Sequence, residues 1–187
     1  MWDKYSIMNI KAAAVVTNQS EISDPCEAVK DVKEEGLEIV DRLRAALQAS
    51  STPGIGLAAN QIGINKRVFV MNIPHGDFYL GHAFINPTLE DLKDPILFNE
   101  GCLSFPGESV ETFRFNEVVV RDDLSPEGRA FKGVAAVCAQ HELNHLDGLT
   151  MYDKELSKVQ DDDCPCGSEK KLRKCCLMVA RNRKKSG

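Results

Sequence analysis

His141-Glu142-Leu143-Asn144-His145 is the stretch on which the reading of this chain turns. Residues four apart share one face of a helix. His141 and His145 can therefore hold one metal ion between them, with Glu142 near enough to take a proton from a water activated there. The plain alternative is a helix that carries two histidines and no metal. The chain has four histidines, and the other two, His75 and His82, read as a turn residue and a strand-surface residue. What the pair lacks is a third ligand.

Working outward, residues Ala130 to Leu146 read as the helix that carries the pair, and Gly148 as its stop. Val134, Val137 and Cys138 precede His141 by seven, four and three residues, so they share its face. That face should be buried, with an apolar groove ending at the metal. Upstream, Glu117 to Arg121 reads as a strand and Asp122 to Gly128 as a turn. Further upstream lies Glu100-Gly101-Cys102-Leu103-Ser104-Phe105-Pro106-Gly107. A lone cysteine is more often a small buried hydrophobe than a ligand. The glycine before Cys102, however, points to a cramped backbone beside something functional.

A third stretch, Gly54-Ile55-Gly56-Leu57-Ala58-Ala59-Asn60-Gln61, follows a turn at Ser51-Thr52-Pro53. Two glycines in three residues let a backbone pass close to another chain or a ligand. The continuation does not match a nucleotide loop, since no Gly-Lys-Ser/Thr follows. Gln61 offers both a donor and an acceptor. Between these stretches Arg67 to Asn72 and Phe78 to Phe84 read as strands joined by the turn Pro74-His75-Gly76-Asp77, and Thr88 to Phe98 as a strand or surface loop. Cys26 to about Ser50 has helical spacing, with Leu37, Val40, Leu43 and Leu47 on one face and Gly36 weakening the first turn. Ala14-Val15-Val16 reads as an edge strand.

GIGLAANQ, EGCLS and HELNH, in this order and at these separations, resemble the three signature motifs of the peptide deformylases over about residues 12–153. The resemblance implies an α+β fold, with antiparallel sheets packed around a central metal-binding helix. It implies Cys102 as the third metal ligand beside His141 and His145, leaving one position open for water. It implies Glu142 as general base and then acid, and Gln61 with the backbone N–H of Leu103 as stabilisers of the oxyanion. The implied activity is hydrolysis of the N-formyl group from the initiator methionine of nascent polypeptides. The implied cofactor is Fe(2+), with zinc, nickel or cobalt able to substitute. The groove would take the methionine side chain between Gly54, Ile55, Val134, Val137 and Cys138. The peptide beyond would pair its backbone with Gly56 in a strand-like arrangement. By the same resemblance Glu100 would pair with Arg114 and brace the cysteine loop. Asn144 departs from the pattern, which more often has Asp there.

Composition sets the frame for these readings. The chain has 187 residues, 43% hydrophobic and 27% charged, enough for one well-filled domain with a small appendage. No apolar run approaches the roughly 18 residues of a membrane span, so no membrane partner is expected. The N-terminal MWDKYSIMNIKAAAVV lacks a basic start followed by a long apolar core, so it does not read as a signal peptide. Of seven cysteines, Cys164, Cys166, Cys175 and Cys176 crowd the C-terminal end. That distribution suits metal binding in a reducing compartment, with the cytoplasm as the default location and an organelle as an open alternative.

The chain therefore divides into a catalytic part, 1–155, and a Cys-rich basic tail, 156–187. The tail resembles the SEC-C motif, a zinc knuckle, which implies Zn(2+) held by the four cysteines and supplying the segment's folding energy. Residues 164–187 carry eight Lys or Arg against Glu169, a balance of +7, so the total of −5 leaves −12 for the remainder. Lys170, Lys171, Arg173 and Lys174 form a basic knob, with Arg181, Arg183, Lys184 and Lys185 beyond. Such a tail is expected to dock on an anionic partner, the phosphate-rich ribosome. Two rivals stand beside the main reading. One is a zinc metalloprotease, which His-Glu-x-x-His alone fits equally well. The other is a binding protein whose metal is structural, against which Glu142 and Gln61 speak.

Overall fold

A computed structural model of the chain describes residues 10–186, the side chains of residues 183, 185 and 186 excepted. The first part of the N-terminal segment weighed above as a leader lies outside the described residues, as do the side chains of Arg183 and Lys185 in the basic tail. The architecture is α+β. Helix α1 spans Leu37–Ala49, followed by strands β1 (Gly56–Ala58), β2 (Val68–His75), β3 (Phe78–Ile85), β4 (Thr88–Cys102), β5 (Phe105–Asp122) and β6 (Ser125–Lys132). Helix α2 spans Val134–Leu146, with the short α3 (Leu156–Val159) and α4 (Cys176–Ser186) after it. Two three-stranded antiparallel sheets, ordered β1-β2-β3 and β4-β5-β6, flank α2.

The pattern of side chains explains this layering. Along β1 and β2, Ala58, Phe69 and Met71 face the core that contains Ala136, Cys138, Ala139 and Leu143 of α2. The alternate residues Leu57, Val68 and Val70 face a second core built with Val40, Leu43 and Leu47 of α1. Helix α2 is buried almost all round, with Leu146 and His145 fully buried. It is therefore an interior helix, with protein on most sides of the histidine pair.

Several boundaries differ from the sequence reading. The helix that carries the two histidines starts at Val134, because Ala130 to Lys132 pair with β5 (Val118↔Phe131, Val119↔Ala130) and Gly133 turns the chain at φ 61°. The expected turn at 122–128 shrinks to Asp123-Leu124 for the same reason. Helix α1 starts at Leu37, after a π-helical turn, Val32–Gly36, capped by the Asp31 carboxylate on the N–H groups of Lys33 and Glu34. Leu37 itself is 43% exposed, so the buried stripe runs through Ile39, Val40, Leu43, Ala46 and Leu47. Residues 14–16 form no strand; Val16 N–H makes a single bond to the Gln61 carbonyl at 2.8 Å. Thr88 to Phe98 belongs to the strand β4. Gly148 does end α2, at φ 73°, its N–H donating to the His145 carbonyl at 3.0 Å.

The tail is continuous with the body. Leu172, Leu177, Ala180 and Cys164 are buried in the same core cluster as Phe113, Phe115, Leu143 and Leu146. Glu155 bridges to Thr112 on β5, and α4 packs on β4.

Candidate active site and metal centre

The ladder positions the site. Strand β4 ends at Cys102, which pairs with Phe105 across a tight turn. Cys102 Sγ lies 3.2 Å from His145 Nε2, and His145 Nε2 lies 3.2 Å from His141 Nε2. The donor atoms of the three residues all fall within 4.8 Å of one another, and all three side chains are buried. Bonds of 2.0–2.3 Å at tetrahedral angles put neighbouring ligand atoms roughly 3.3–3.8 Å apart, so one thiolate and two imidazoles in this arrangement fit a single metal ion.

A layer of polar contacts holds this set in place. Glu100 Oε2 lies 2.8 Å from His141 Nδ1, which turns Nε2 toward Cys102. The same carboxylate is clamped by Arg114, whose Nε donates to Oε1 and whose Nη2 donates to Oε2 at 2.9 Å, and by the Thr112 hydroxyl at 2.6 Å. Burial alone would raise the Glu100 pKa, but the bonds and charge of Arg114 outweigh it and hold the carboxyl well below the usual range. The remaining arm of Arg114 donates to Asn144 Oδ1 at 2.6 Å, which is the outer contact of the unusual asparagine. Burial works against a proton on His141, yet hydrogen bonding to Cys102 and Glu100 pulls its pKa up to about 10. His145 shifts the other way: burial, with the charges of His141 and Arg114, holds its imidazole well below the usual range.

Glu142 is buried, and burial pushes its carboxyl up to about 7 against the lowering effect of His141. Its Oε2 is buried with no hydrogen-bond partner among the described residues. Gly56 explains how the carboxyl fits. A Cβ there would stand 2.4 Å from Glu142 Oε1 and 2.6 Å from Cys138 Sγ. The Gly-x-Gly stretch thus serves the close approach of β1 to α2. Gln61 follows β1 in a 3-10 turn, Ala59–Ile62. Its Oε1 accepts from Ala58 N–H at 2.9 Å, so Nε2 faces Ser104 Oγ at 3.1 Å and Cys102 Sγ at 3.5 Å.

A cavity of about 600 Å³ opens on these groups. Gly54, Ile55, Gly56, Gln61, Glu100, Cys102, Leu103, Val134, Val137, Cys138, His141 and Glu142 all line it, so the residues expected around the substrate converge on one space. His145 sits beneath its floor, 0% exposed. Val134 corrects the expectation of a fully buried face: it is 45% exposed at the mouth, where α2 begins. The Leu103 side chain packs against Gly54. The sequence reading missed Asn72, Tyr79 and Phe98 on the cavity wall, and Thr112 and Ser104 behind the ligands. Ser104 stands beside Cys102 and was within reach of a local reading; the others arrive through strand register.

In the tail, Cys164, Cys166, Cys175 and Cys176 bring their sulfurs within 4.8 Å of one another, with Cys166 and Cys175 3.6 Å apart. The basic knob is in part neutralised. Lys171 pairs with Asp163 at 2.9 Å, Arg173 with Asp161 at 2.7 Å, and Lys184 with Glu111. Lys170, Lys174 and Arg181 are exposed and make no ion pair among the described residues. No helix among those residues is long and apolar enough to cross a membrane.

The model of the polypeptide deformylase family matches residues 12–161. A peptide deformylase of Pelagibacter ubique is 34% identical over 173 residues, covering 83% of this chain and 98% of that protein. One of Wolbachia pipientis is 34% identical over 165 residues, 79% of this chain and 84% of that protein. The crystal structure of a probable peptide deformylase from Synechococcus phage S-SSM7 superposes with a TM-score of 0.65 at 33% identity, over 75% of this chain and 97% of that one. None of these favours the metalloprotease alternative. The chain belongs to the polypeptide deformylase family, metal-dependent hydrolases that remove the N-formyl group from nascent polypeptides.

Proposed function

We propose that Cys102, His141 and His145 hold one catalytic metal, with Fe(2+) as the native ion and zinc, nickel or cobalt as substitutes, and that Glu142 and Gln61 act on the formamide beside it. The observation that carries this reading is the meeting of the three donor atoms, within 4.8 Å of one another, with a buried carboxylate oxygen of Glu142 that has no partner among the described residues. A soft thiolate with two imidazoles suits these ions. When bound, such an ion polarises a carbonyl and makes water a better nucleophile at neutral pH.

The chain's own residues do the rest. Glu142 Oε2 takes the proton of the attacking water and passes it to the amine as the C–N bond breaks and formate leaves. Gln61 Nε2, fixed in direction by the Ala58 N–H on its other end, donates to the oxygen that gains charge, together with the Leu103 N–H. Glu100, anchored by Arg114 and Thr112, keeps His141 in one tautomer and one orientation. Val134, Val137, Cys138, Gly54 and Ile55 give the unbranched methionine side chain an apolar wall, and the free edge of β1 at Gly56 offers backbone pairing to the peptide.

Anaerobically prepared protein should release formate from formyl-Met-Ala and leave acetyl-Met-Ala intact. Glu142→Gln should keep its metal and lose at least about a hundredfold in kcat. Undiminished turnover in that variant would remove Glu142 from the mechanism.

For the tail we propose a structural Zn(2+) in the SEC-C-like knuckle of Cys164, Cys166, Cys175 and Cys176, which makes residues 156–187 an attachment to the catalytic part, 1–155. The docking proposal narrows to Lys170, Lys174 and Arg181 as the described cations free to meet ribosomal phosphate. Ribosome co-sedimentation at increasing salt should fall away when these three are changed to Ser. Equal sedimentation of the altered and unaltered chains would end that proposal.

A further inference from the structure

Two of the three donor residues lean on a polar side chain. Glu100 Oε2 lies 2.8 Å from His141 Nδ1, and Gln61 Nε2 lies 3.5 Å from Cys102 Sγ. His145 is the exception. Its Nδ1 is buried and has no hydrogen-bond partner among the described residues. His145 Nε2 is turned to Cys102 Sγ and His141 Nε2, at 3.2 Å from each. With Nε2 as the ligand atom, Nδ1 carries the proton and needs an acceptor. A buried N–H is nearly always paired, with protein or with an ordered water.

Asn60 stands beside it. It precedes Gln61 in the 3-10 turn Ala59–Ile62, so one turn sends neighbouring side chains to two of the donor residues. Asn60 Nδ2 donates to the His145 carbonyl at 2.6 Å and to the Ile22 carbonyl at 3.2 Å. Both hydrogens of the amide are thereby used, and its orientation is set, since a reversed amide would aim Oδ1 at two carbonyl oxygens. Asn60 Oδ1 is buried and also has no hydrogen-bond partner among the described residues. An acceptor and an N–H, both buried, thus lie in two residues already joined by a hydrogen bond. One water between them satisfies both.

We propose that Asn60 is the positioning residue of His145: Nδ2 holds its backbone, and Oδ1 takes the Nδ1–H through one buried water, which keeps Nε2 turned toward Cys102 and His141. This rests on the metal reading of those three residues, and the test separates the two. Anaerobic titration with Co(II) against a chelator, on the whole chain and on Cys102→Ala, isolates the ion of the catalytic part, since the tail cysteines are the same in both. Thr and Val share a shape and differ by one hydroxyl. Asn60→Val should weaken that ion's binding by about 10–100-fold. Asn60→Thr, whose hydroxyl donates and accepts, should recover most of the loss. Val40→Ala, in the core against α1, should stay within about twofold of the unaltered chain, because it shares no partner with the site. In the zinc-loaded unaltered protein, His145 Nδ1–H should show cross-relaxation with a long-lived water by NMR. Absence of that signal overturns the proposal even where Asn60→Val fails to fold. So does an Asn60→Val variant that binds Co(II) like the unaltered chain or like Asn60→Thr, or a matching loss in Val40→Ala. No difference between the whole chain and Cys102→Ala removes the metal reading itself, and this proposal with it.

Discussion

At the residue scale, the smallest side chain near the site is among the most constrained. Gly56 has no room for a Cβ, because Glu142 and Cys138 stand within 2.6 Å of where it would be. Gly56→Ala should displace the Glu142 carboxyl and cost about 1–3 kcal/mol of stability. We expect kcat on formyl-Met-Ala to fall by at least about tenfold, checked beside a urea unfolding curve. Arg114 is the second such residue. It is 4% exposed and neutralises Glu100, itself 3% exposed. Arg114→Met leaves a buried carboxylate without its counter-charge, which should cost about 3–5 kcal/mol. Metal affinity should also fall by about 10–100-fold, because Glu100 orients His141. Competition with a chelator would measure that loss. The family resemblance implied both partners of this pair, but Thr112 and the Asn144 contact came only with the fold.

At the element scale, the question is what holds α2, with its two buried histidines, in place. Gln140 answers part of it. Its Oε1 accepts from Phe115 N–H at 3.0 Å, and its Nε2 donates to the Phe115 carbonyl at 2.7 Å. One carboxamide thus satisfies both backbone groups of a β5 residue. Gln140→Leu removes the partner of a buried N–H and should destabilise by about 1–3 kcal/mol. Amide hydrogen exchange at Phe115 should accelerate accordingly, and unchanged protection there would refute the docking role. At the far end of the helix, Asn60 Nδ2 donates to the His145 carbonyl at 2.6 Å. Neither contact is visible in the helical period of α2, which reports only which side of the helix each residue occupies.

At the scale of the whole molecule, the tail closes the back of the catalytic body. Leu172 and Leu177 are 2% and 0% exposed, packed into the core that also holds Phe113, Phe115 and Leu143. Each buried leucine is worth about 1.5–3 kcal/mol, and about 1 kcal/mol shifts Tm by roughly 2–4 °C at this chain length. Ending the chain at Asp163 should therefore lower Tm by roughly 10 °C, measured by thermal unfolding. Metal content should fall from two ions to one in the same comparison. An unchanged Tm would mean that the tail does not share the core.

The residues that meet in the candidate centre were legible as local strings. His141, Glu142 and His145 are bound by helical spacing, while Cys102 and Gln61 sit in motifs that resemble a known family. Local strings carry such information because ligand type and helix face depend on residues a few positions apart. Which charges remain free could not be read in that way. The +7 of the tail looked like a single basic surface, but Lys171, Arg173 and Lys184 are spent on Asp163, Asp161 and Glu111. The placement of Tyr79 and Phe98 on the wall of the site cavity, and of the cysteine cluster against the main core, likewise follows from sheet register and packing. These bring together residues far apart in the chain, so only the tertiary structure could decide them.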